Sequence, residues 1–400
     1  MSQNPIQLNA IKTIKSKSMA IFSPTKPLSK ESTQEAGFFI VDLGFADEQQ
    51  SKFVELMPRV KPFYAIKCFP DREIIQRLMQ LGCGFDCASL EEIKTVLEIA
   101  NGQHVDIIFA NPCKLISHIQ FAKDHGVDVM TFDNIDELYK IKMVHPDAKL
   151  VLRIRTDDSK SLCKLGIKYG AQLSSTAEIL LKAIELNLTV FGVSFHVGSG
   201  CFDASAFSDA IKASHQVFQI ATSLGLNFTF LDIGGGFPGC KSDSITIENV
   251  AKTVNPLLDQ LFPHCDIIAE PGRYYVSGCC TLFTPIIGRR VVHYDNDNGA
   301  DALDLRKFIV PVKDQHQDVT NYENVQKGDV VNASQVVRND QPGFMYYISE
   351  GTYGAFNCIY FDHATVKPRV LTRYHQVVDA IVNTLPNSIV ERFQMYFIFM

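Results

Sequence analysis

The sequence lacks the features that define several large classes of protein. No apolar run approaches the ~20 residues needed to cross a bilayer, and the run at residues 397–400 is far too short. The formal net charge of the 400 residues is −6, so there is no excess positive charge for binding nucleic acid. With 46% hydrophobic and 20% charged residues, the chain does not have a disordered composition. We therefore predict a soluble protein with a large core and neither a membrane nor a nucleic-acid partner.

Signals for targeting and for zinc binding are also missing. The first thirty residues contain five lysines, no arginine and no acidic residue before Glu31, which favours a solvated basic arm over a transit peptide. No apolar segment of a secretory signal is present, so we expect the 11 cysteines to stay reduced in the cytoplasm. Cys83 and Cys87 form a C-x3-C pair without a second pair, a spacing that does not predict a metal site.

From about residue 60, short apolar runs alternate with amphipathic segments of helical length. The longest helical segment opens with Asp203, a candidate N-cap. Continuous apolar strands, each followed by a helix, are typical of a closed parallel barrel, so the sequence predicts a (β/α)8 barrel. The eight runs are residues 63–68, 84–89, 105–110, 127–132, 150–155, 190–198, 228–236 and 266–273.

After Tyr275 the pattern changes to Val-, Ile- and Tyr-rich segments that are separated by polar turns without intervening helices. This pattern predicts a second, all-β domain, and we expect residues 36–44 to join it. The predicted organisation is an N-terminal arm and strand at 1–44, a barrel at 45–280 and a C-terminal β domain at 281–400.

The run KPFYAIKCFP at residues 61–70 places Lys67 inside an apparent buried strand. Lysine is almost never fully buried unless something pairs with it or uses it. A structural explanation is a buried aliphatic stem with the ammonium group in water. The alternative is a functional amine at the end of a barrel strand, where the active sites of such barrels lie.

The other predicted strand ends carry further polar groups. Individually they are weak signals. Gly234–Gly236 also fit a flexible turn, His196 also fits a structural role, and Glu270 and Arg273 also fit a local ion pair. Together they provide an amine, a phosphate cradle and an acid, the groups that pyridoxal phosphate requires. Desolvation would favour the neutral amine of the lysine. The residues are Lys67, Asp86, Arg153, His196, Ser199, Gly234, Gly235, Gly236, Glu270 and Arg273.

Seven motifs then give a resemblance to a family. YAIKCFP, GFDCAS, LVLRIRTDDS, SFHVGSG, LDIGGGFPG, AEPGRYY and GAFNCIYFDH, spread over about residues 35–370, resemble those of the eukaryotic ornithine decarboxylases. That family has the alanine-racemase-like fold of group IV pyridoxal-phosphate enzymes. The resemblance implies a cytoplasmic homodimer that decarboxylates ornithine to putrescine in polyamine biosynthesis.

The resemblance also implies a role for each matching residue. Lys67 would bind the cofactor, His196 would stack on its ring, and Glu270 would pair with its pyridine nitrogen. Asp362 would receive the distal amine of the substrate, and residues 111–114 with the following segment match the region that binds the inhibitor antizyme. The phosphate would be held by Ser199, Gly235, Gly236 and Arg273, with Asp86 and Arg153 ordering the surroundings of the lysine.

The resemblance ends near the C-terminus. The chain contains no cysteine after Cys358 and no glycine after Gly354, so the family's Gly-Pro-x-Cys-Asp and Gly-Ala-Tyr motifs are absent. In the family these residues act across a head-to-tail dimer interface. Phe361 stands where the family usually has tyrosine. We expect a short helix in VVDAIVNTL and an edge strand or an unprotected apolar tail in FQMYFIFM.

Two alternatives to an ornithine decarboxylase follow. One is a related enzyme that acts on lysine, arginine or diaminopimelate. The other is a decarboxylase-like regulator that binds antizyme or pairs with an intact paralogue, which the missing cysteine and aspartate favour.

Overall fold

A computed structural model describes residues 38–292 except 164, 167 and 240–244, followed by 343–348, 350–351, 354, 356–357, 367–370 and 394–398. The helices are α1 (Leu43–Leu56), α2 (Arg72–Gln80), α3 (Leu90–Ala100), α4 (Ile116–Asp124), α5 (Ile135–Val144), α6 (Thr176–Glu185), α7 (Ser205–Ser223), α8 (Ile247–Leu261) and α9 (Arg273–Val276).

The strands up to the end of the barrel are β1 (Phe38–Val41), β2 (Val60–Ala65), β3 (Gly84–Cys87), β4 (Ile107–Phe109), β5 (Val129–Phe132), β6 (Lys149–Arg153), β7 (Ser161–Cys163), β8 (Thr189–Ser194), β9 (Ser199–Cys201), β10 (Phe230–Asp232) and β11 (Asp266–Ala269). The later strands are β12 (Cys280–Val292), β13 (Gly343–Ile348), β14 (Lys367–Val370) and β15 (Gln394–Ile398).

Eight parallel strands form a closed barrel in the order β2-β3-β4-β5-β6-β8-β10-β11. The barrel closes where β11 pairs with β2, with Ile267 opposite Val60 and Ala269 opposite Pro62. Each strand falls on one of the eight predicted apolar runs. The predicted (β/α)8 barrel is therefore confirmed.

The strands are apolar on both faces because each face packs against a different core. One face carries residues such as Phe63, Val151 and Ile268, which cluster together inside the barrel. The other face, represented by Tyr64 and Leu152, packs in the larger cluster formed with the surrounding helices. Burial on both faces explains why the strands do not alternate between polar and apolar residues.

Side-chain caps fix where several of the helices begin. The Asp71 carboxylate accepts hydrogen bonds from the backbone N–H groups of Glu73 and Ile74 at the start of α2. Asp203 instead precedes the N-cap residue of α7, which is Ala204, and accepts from Ser205 N–H at 2.8 Å. The predicted Asp203 cap is thus displaced by one residue, while its carboxylate still bonds to the first turn.

A second, antiparallel sheet follows the barrel in the sequence. β1 pairs with β12, with Phe38 opposite Phe283, so residues 38–41 of the predicted segment 36–44 join this sheet. β15 lies between β12 and β14, so the prediction of an edge strand or an unprotected tail at the end of the chain is wrong. Both edges of β15 have backbone hydrogen-bond partners there, which an edge strand lacks.

The domain boundaries at 44 and 280 stay a prediction, and the proposed VVDAIVNTL helix lies outside the described residues. Among the helices that the structure describes, none combines the length and apolarity that a membrane span requires.

Gly192 of β8 gives a test of the barrel packing. A Cβ at this position would lie 2.3 Å from the backbone oxygen of Phe230 on the adjacent strand β10, which cannot move without disturbing the ladder. We expect Gly192→Ala to lower the free energy of unfolding by ~1–3 kcal/mol, as overpacking does elsewhere. Gly351→Ala is the control, because a Cβ there would meet no atom of the described residues within 4 Å. Equal urea midpoints for the two variants would contradict this account.

Candidate active site

Lys67 lies just beyond the end of its strand. β2 ends at Ala65, and residues Ile66–Cys68 form a single 3-10 turn. The prediction that Lys67 belongs to the strand is therefore wrong by one turn, because the chain leaves the extended conformation as soon as it reaches the barrel mouth. The Lys67 side chain is 45% exposed, which suits an amine that must be reached from outside.

The partner of Lys67 is a fully buried carboxylate. Lys67 Nζ lies 2.5 Å from Asp86 Oδ2, and the Asp86 side chain is 0% exposed. Its other oxygen, Oδ1, accepts no hydrogen bond from the part of the chain that the structure describes. A buried charge is costly unless it is paired, so the ammonium group of Lys67 compensates Asp86 at the floor of the mouth.

The charges around Lys67 determine its protonation. Desolvation lowers the pKa of Lys67, but the carboxylates of Asp86 and Glu270 outweigh it, so the pKa is raised above its ordinary value. Arg153 acts in the opposite direction and does not reverse the result. The prediction of a neutral amine is therefore wrong for this arrangement of residues, since it considered burial without the neighbouring carboxylates.

His196, directly beyond β8, presents a neutral ring to the mouth. Burial, followed by the positive charges of Arg153 and Lys67, lowers the pKa of His196 well below its ordinary value. Its Nδ1 accepts a hydrogen bond of 2.9 Å from the N–H of Gly198, which leaves the ring proton on Nε2. The orientation and charge of this imidazole are both fixed, as stacking on another ring requires.

Three glycines line the wall beside His196. Gly234 and Gly236 have φ values of +61° and +101°, which favour glycine. A Cβ on Gly235 would lie 2.7 Å from His196 Nε2 and 2.8 Å from the Glu270 backbone oxygen. Any residue larger than glycine would place its Cβ in this space. The glycines therefore form a cradle in which the backbone stays accessible.

Arg273 and Ser199 meet at the far side of the mouth. The Arg273 Nε and Nη2 atoms lie 3.4 and 3.3 Å from Ser199 Oγ. Ser199 begins the short strand β9, which pairs antiparallel with β7 in a two-stranded sheet that the sequence pattern did not reveal. A guanidinium group and a hydroxyl group at this distance provide donors for a bound phosphate.

Glu270 and Asp232 form a buried pair of acids. Glu270 is 5% exposed and Asp232 is fully buried. Burial raises the pKa of Asp232 to about 7, and burial together with the charge of Asp232 raises the pKa of Glu270 well above its ordinary value. Sequence reasoning missed Asp232, although the signal was the one that singled out Lys67, a charged residue within a buried apolar strand.

The structure brings most of the predicted site residues together at the barrel mouth. Lys67, Asp86, Arg153 and Glu270 interact through their charges, and His196 borders the same cluster. Gly235 touches both His196 and Glu270, while Ser199 meets Arg273. Asp362 lies outside the described residues.

These residues fit pyridoxal phosphate. An accessible amine, a neutral imidazole ring, a glycine cradle beside an arginine–serine pair, and a buried acid are the complementary groups for its aldehyde, ring, phosphate and pyridine nitrogen. The unpartnered oxygen atoms of Asp86 and Asp232 show that the polar floor is not saturated by the described protein groups.

The fold and the mouth define a pyridoxal-binding barrel, and sequence comparison gives the family. The sequence model of "Pyridoxal-dependent decarboxylase, pyridoxal binding domain" matches residues 44–277. The chain belongs to the pyridoxal-dependent decarboxylases, and its cofactor is pyridoxal phosphate.

Individual relatives agree with this family. The chain is 41% identical over 342 residues to ornithine decarboxylase of Mus musculus, covering 84% of this chain and 66% of that protein. It is also 41% identical over 334 residues to antizyme inhibitor 2 of Xenopus laevis, covering 83% and 65%. The chain thus spans about two thirds of the length of these curated relatives.

Solved structures share the architecture. The arginine decarboxylase of Paramecium bursaria Chlorella virus matches with a TM-score of 0.73 and 28% identity, over 97% of this chain and 93% of the viral enzyme. Ornithine decarboxylase from Entamoeba histolytica matches with a TM-score of 0.60 and 31% identity, over 72% of this chain and 78% of that chain.

Replacing Asp86 tests the charge balance around Lys67. We expect Asp86→Asn to lower the pKa of Lys67 and to raise its neutral fraction at fixed pH by at least about tenfold, because the negative charge beside the ammonium group is lost. The measurement is the pH dependence of Lys67 acylation in the cofactor-free protein, followed by peptide mass spectrometry. Asp106→Asn is the matched control, since Asp106 pairs with Lys61, which lies on β2 before the turn that carries Lys67. Equal Lys67 reactivity in both variants would contradict the assignment.

Proposed function

We propose that the protein is a pyridoxal-phosphate-dependent decarboxylase that converts L-ornithine to putrescine in polyamine biosynthesis. The observation that carries the proposal is Lys67, half exposed at the barrel mouth and held by the buried carboxylate of Asp86. The identity of 38–43% to ornithine decarboxylases of animals, fungi and Dictyostelium discoideum supports ornithine as the substrate. Lysine, arginine and diaminopimelate are the alternative substrates, and the viral arginine decarboxylase shares the fold.

In this proposal each residue at the mouth has one task toward the cofactor. Lys67 holds its aldehyde carbon, the neutral ring of His196 stacks on its face, and the Glu270 carboxyl group meets its pyridine nitrogen. Asp86 orients the side chain of Lys67, and Asp86 and Arg153 together set the charge around it. Its phosphate is held by Ser199, Gly235, Gly236 and Arg273.

The cofactor, when bound, supplies an electron-accepting ring for the electron pair that remains when carbon dioxide leaves the substrate. The protein's part is to orient the substrate carboxylate and to exclude water. A charged group beside the pyridine nitrogen contributes most where charge develops, which is the task of Glu270. We assign the distal amine of ornithine to Asp362, on the resemblance of the YFDH motif.

We also propose a cytoplasmic protein that acts as a homodimer or as a heterodimer with a paralogue. The free cysteines of the described part of the chain include Cys83, Cys87, Cys113, Cys201, Cys265, Cys279 and Cys280, which agrees with a reducing compartment. The dimer follows from the resemblance, in which the second subunit completes the substrate end of the pocket.

Labelling with the cofactor tests the enzymatic proposal. Borohydride reduction in the presence of pyridoxal phosphate should attach the label at Lys67, and Lys67→Ala should lose both the label and the release of carbon dioxide from ornithine. Lys61→Ala is the control, because Lys61 lies at the other end of β2. A label on another lysine would refute the assignment of Lys67.

The same preparation tests the substrate. We expect kcat/KM for ornithine to exceed that for lysine by roughly 10- to 200-fold, the range that one methylene group gives. A higher kcat/KM for lysine, arginine or diaminopimelate than for ornithine would contradict ornithine as the substrate.

A second candidate function is binding of antizyme without turnover, and one comparison favours it. The identity to antizyme inhibitor 2 of Xenopus laevis equals that to the mouse decarboxylase. The flank of the barrel also exposes an apolar patch of Leu115, Ile116, Tyr139 and Met143, which are 63%, 48%, 49% and 65% exposed. Exposed apolar patches commonly mark protein interaction sites.

The residues of the patch come from two helices, α4 and α5, that contact each other. Lys140 Nζ donates a hydrogen bond of 2.6 Å to the backbone oxygen of Lys114, which joins α5 to the segment just before α4. Tyr139 and Met143 lie one turn apart on α5 and share a face. Leu115 and Ile116 of the patch directly follow residues 111–114, the segment that resembles the antizyme-binding region of the family.

Binding to purified antizyme tests this candidate. We expect Met143→Glu to weaken binding by at least about tenfold, as loss of an interface anchor does. Val54→Glu is the control, because Val54 is 47% exposed on α1, outside the patch. No binding by the unaltered chain, or equal effects of the two substitutions, would contradict antizyme docking at the patch.

A further inference from the structure

Asp232 and Glu270 bring two carboxyl groups together beneath the barrel mouth. Asp232 ends β10 and Glu270 follows β11, its neighbour in the barrel. Asp232 Oδ1 accepts a hydrogen bond of 2.8 Å from Gly234 N–H. Asp232 Oδ2 receives no donated proton from any described group. The same glycine, Gly234, accepts a hydrogen bond of 2.7 Å through its backbone oxygen from Glu270 N–H, so the two buried acids lie on either side of one glycine.

Two buried carboxyl groups at such neighbouring positions do not both ionise readily, because their charges repel in a medium of low polarity. If one of them keeps its proton, that proton forms an O–H···O hydrogen bond between them. The orphaned oxygen Oδ2 then acquires the partner that buried polar atoms normally have.

The surrounding charges agree with a single shared proton. Asp86 on β3 adds a further negative charge, while Lys67 after β2 and Arg153 on β6 add positive charges. Three carboxyl groups thus face two cations, and one proton leaves the buried cluster neutral. The His196 ring does not enter this balance, because its lowered pKa keeps it uncharged.

We propose that Asp232 is a positioning residue for Glu270, and that one proton shared between their carboxyl groups fixes Glu270 toward the barrel mouth. The proton moves only between oxygen atoms of the pair, so the pair keeps one negative charge. The Gly234 N–H group stabilises charge on Asp232 in the free protein. A cationic donor facing Glu270 moves the proton onto Asp232 Oδ2, which then donates to the Glu270 carboxylate.

The last step rests on the proposed function, in which the pyridine nitrogen faces Glu270. The shared proton itself does not, because it belongs to the protein alone. Its tests are therefore made first without cofactor, so that failure of the pair and failure of the decarboxylase proposal are distinguishable.

Infrared spectroscopy of the cofactor-free protein at neutral pH tests the pair directly. We expect the stretching band of a protonated carboxyl group, which both Asp232→Asn and Glu270→Gln should remove. Ser194→Ala is the matched control, since Ser194 is buried beside Asp232 on β8 and its hydroxyl is also without a described partner. A band that persists in Asp232→Asn or in Glu270→Gln, or that is absent from the unaltered protein, would overturn the proposal.

The pH dependence of unfolding gives a second test. The pKa of Asp232 is about 7 in the folded protein, above the ordinary value of about 3.9. Between these values the folded state binds more protons than the unfolded state, so stability falls as pH rises. Relative to Asp232→Asn, the unaltered protein should lose stability as the pH rises from about 4 through about 7. A difference that is independent of pH would overturn the shared proton.

Cofactor affinity then tests the donor role. Asp232→Asn can still accept from Gly234 and donate to Glu270, so it should retain the affinity for pyridoxal phosphate. Asp232→Ala should lower it by roughly 10- to 100-fold, since a hydrogen bond to a charged group is lost. Equal affinities of the two variants would overturn the donor role. If the unaltered protein binds no cofactor, the proposed function fails, while the infrared and unfolding results still decide the shared proton.

Discussion

Closure of the barrel between β11 and β2 is the constraint on which the site depends. Residues 267–269 pair with residues 60–62, which are remote in the sequence. This pairing places Glu270, just after β11, beside Lys67, just after β2. Because all eight strands run parallel, their carboxyl ends share one rim, and polar residues from remote segments meet there.

Bringing so many polar groups to one rim creates a problem of charge. Asp86, Asp232 and Glu270 would be costly to bury alone. The positive charges of Lys67 and Arg153 offset two of these negative charges. One carboxylate charge stays without a compensating cation, which agrees with the raised pKa values of Asp232 and Glu270. The same balance explains why the pKa of Lys67 is raised although burial alone would lower it. The protonation of each residue is thus a property of the cluster.

The sequence predicts the barrel because burial on both faces leaves a direct mark, the eight continuous apolar runs. It also predicts that polar residues at the run ends converge, since parallel strands end at one rim. It does not predict the turn at Lys67, because the same residues fit either an extended strand or a 3-10 turn. The sign of the Lys67 pKa shift and the role of Asp232 depend on neighbours that only the closed barrel supplies. The central position of β15 likewise depends on pairing with β14, which local pattern does not encode.

The mouth and the apolar patch are built from different residues, and this difference bears on the two candidate functions. The patch rests on a buried ion pair, in which Lys114 Nζ lies 2.8 Å from Glu137 Oε1 and neither side chain is exposed to more than 1%. Lys114 also donates to the Thr131 backbone oxygen at the end of β5. None of these contacts involves Lys67, Asp232 or Glu270. A substitution at Lys67, Asp232 or Glu270 therefore removes none of these contacts beneath the patch, and the two candidate functions make separate demands on the barrel.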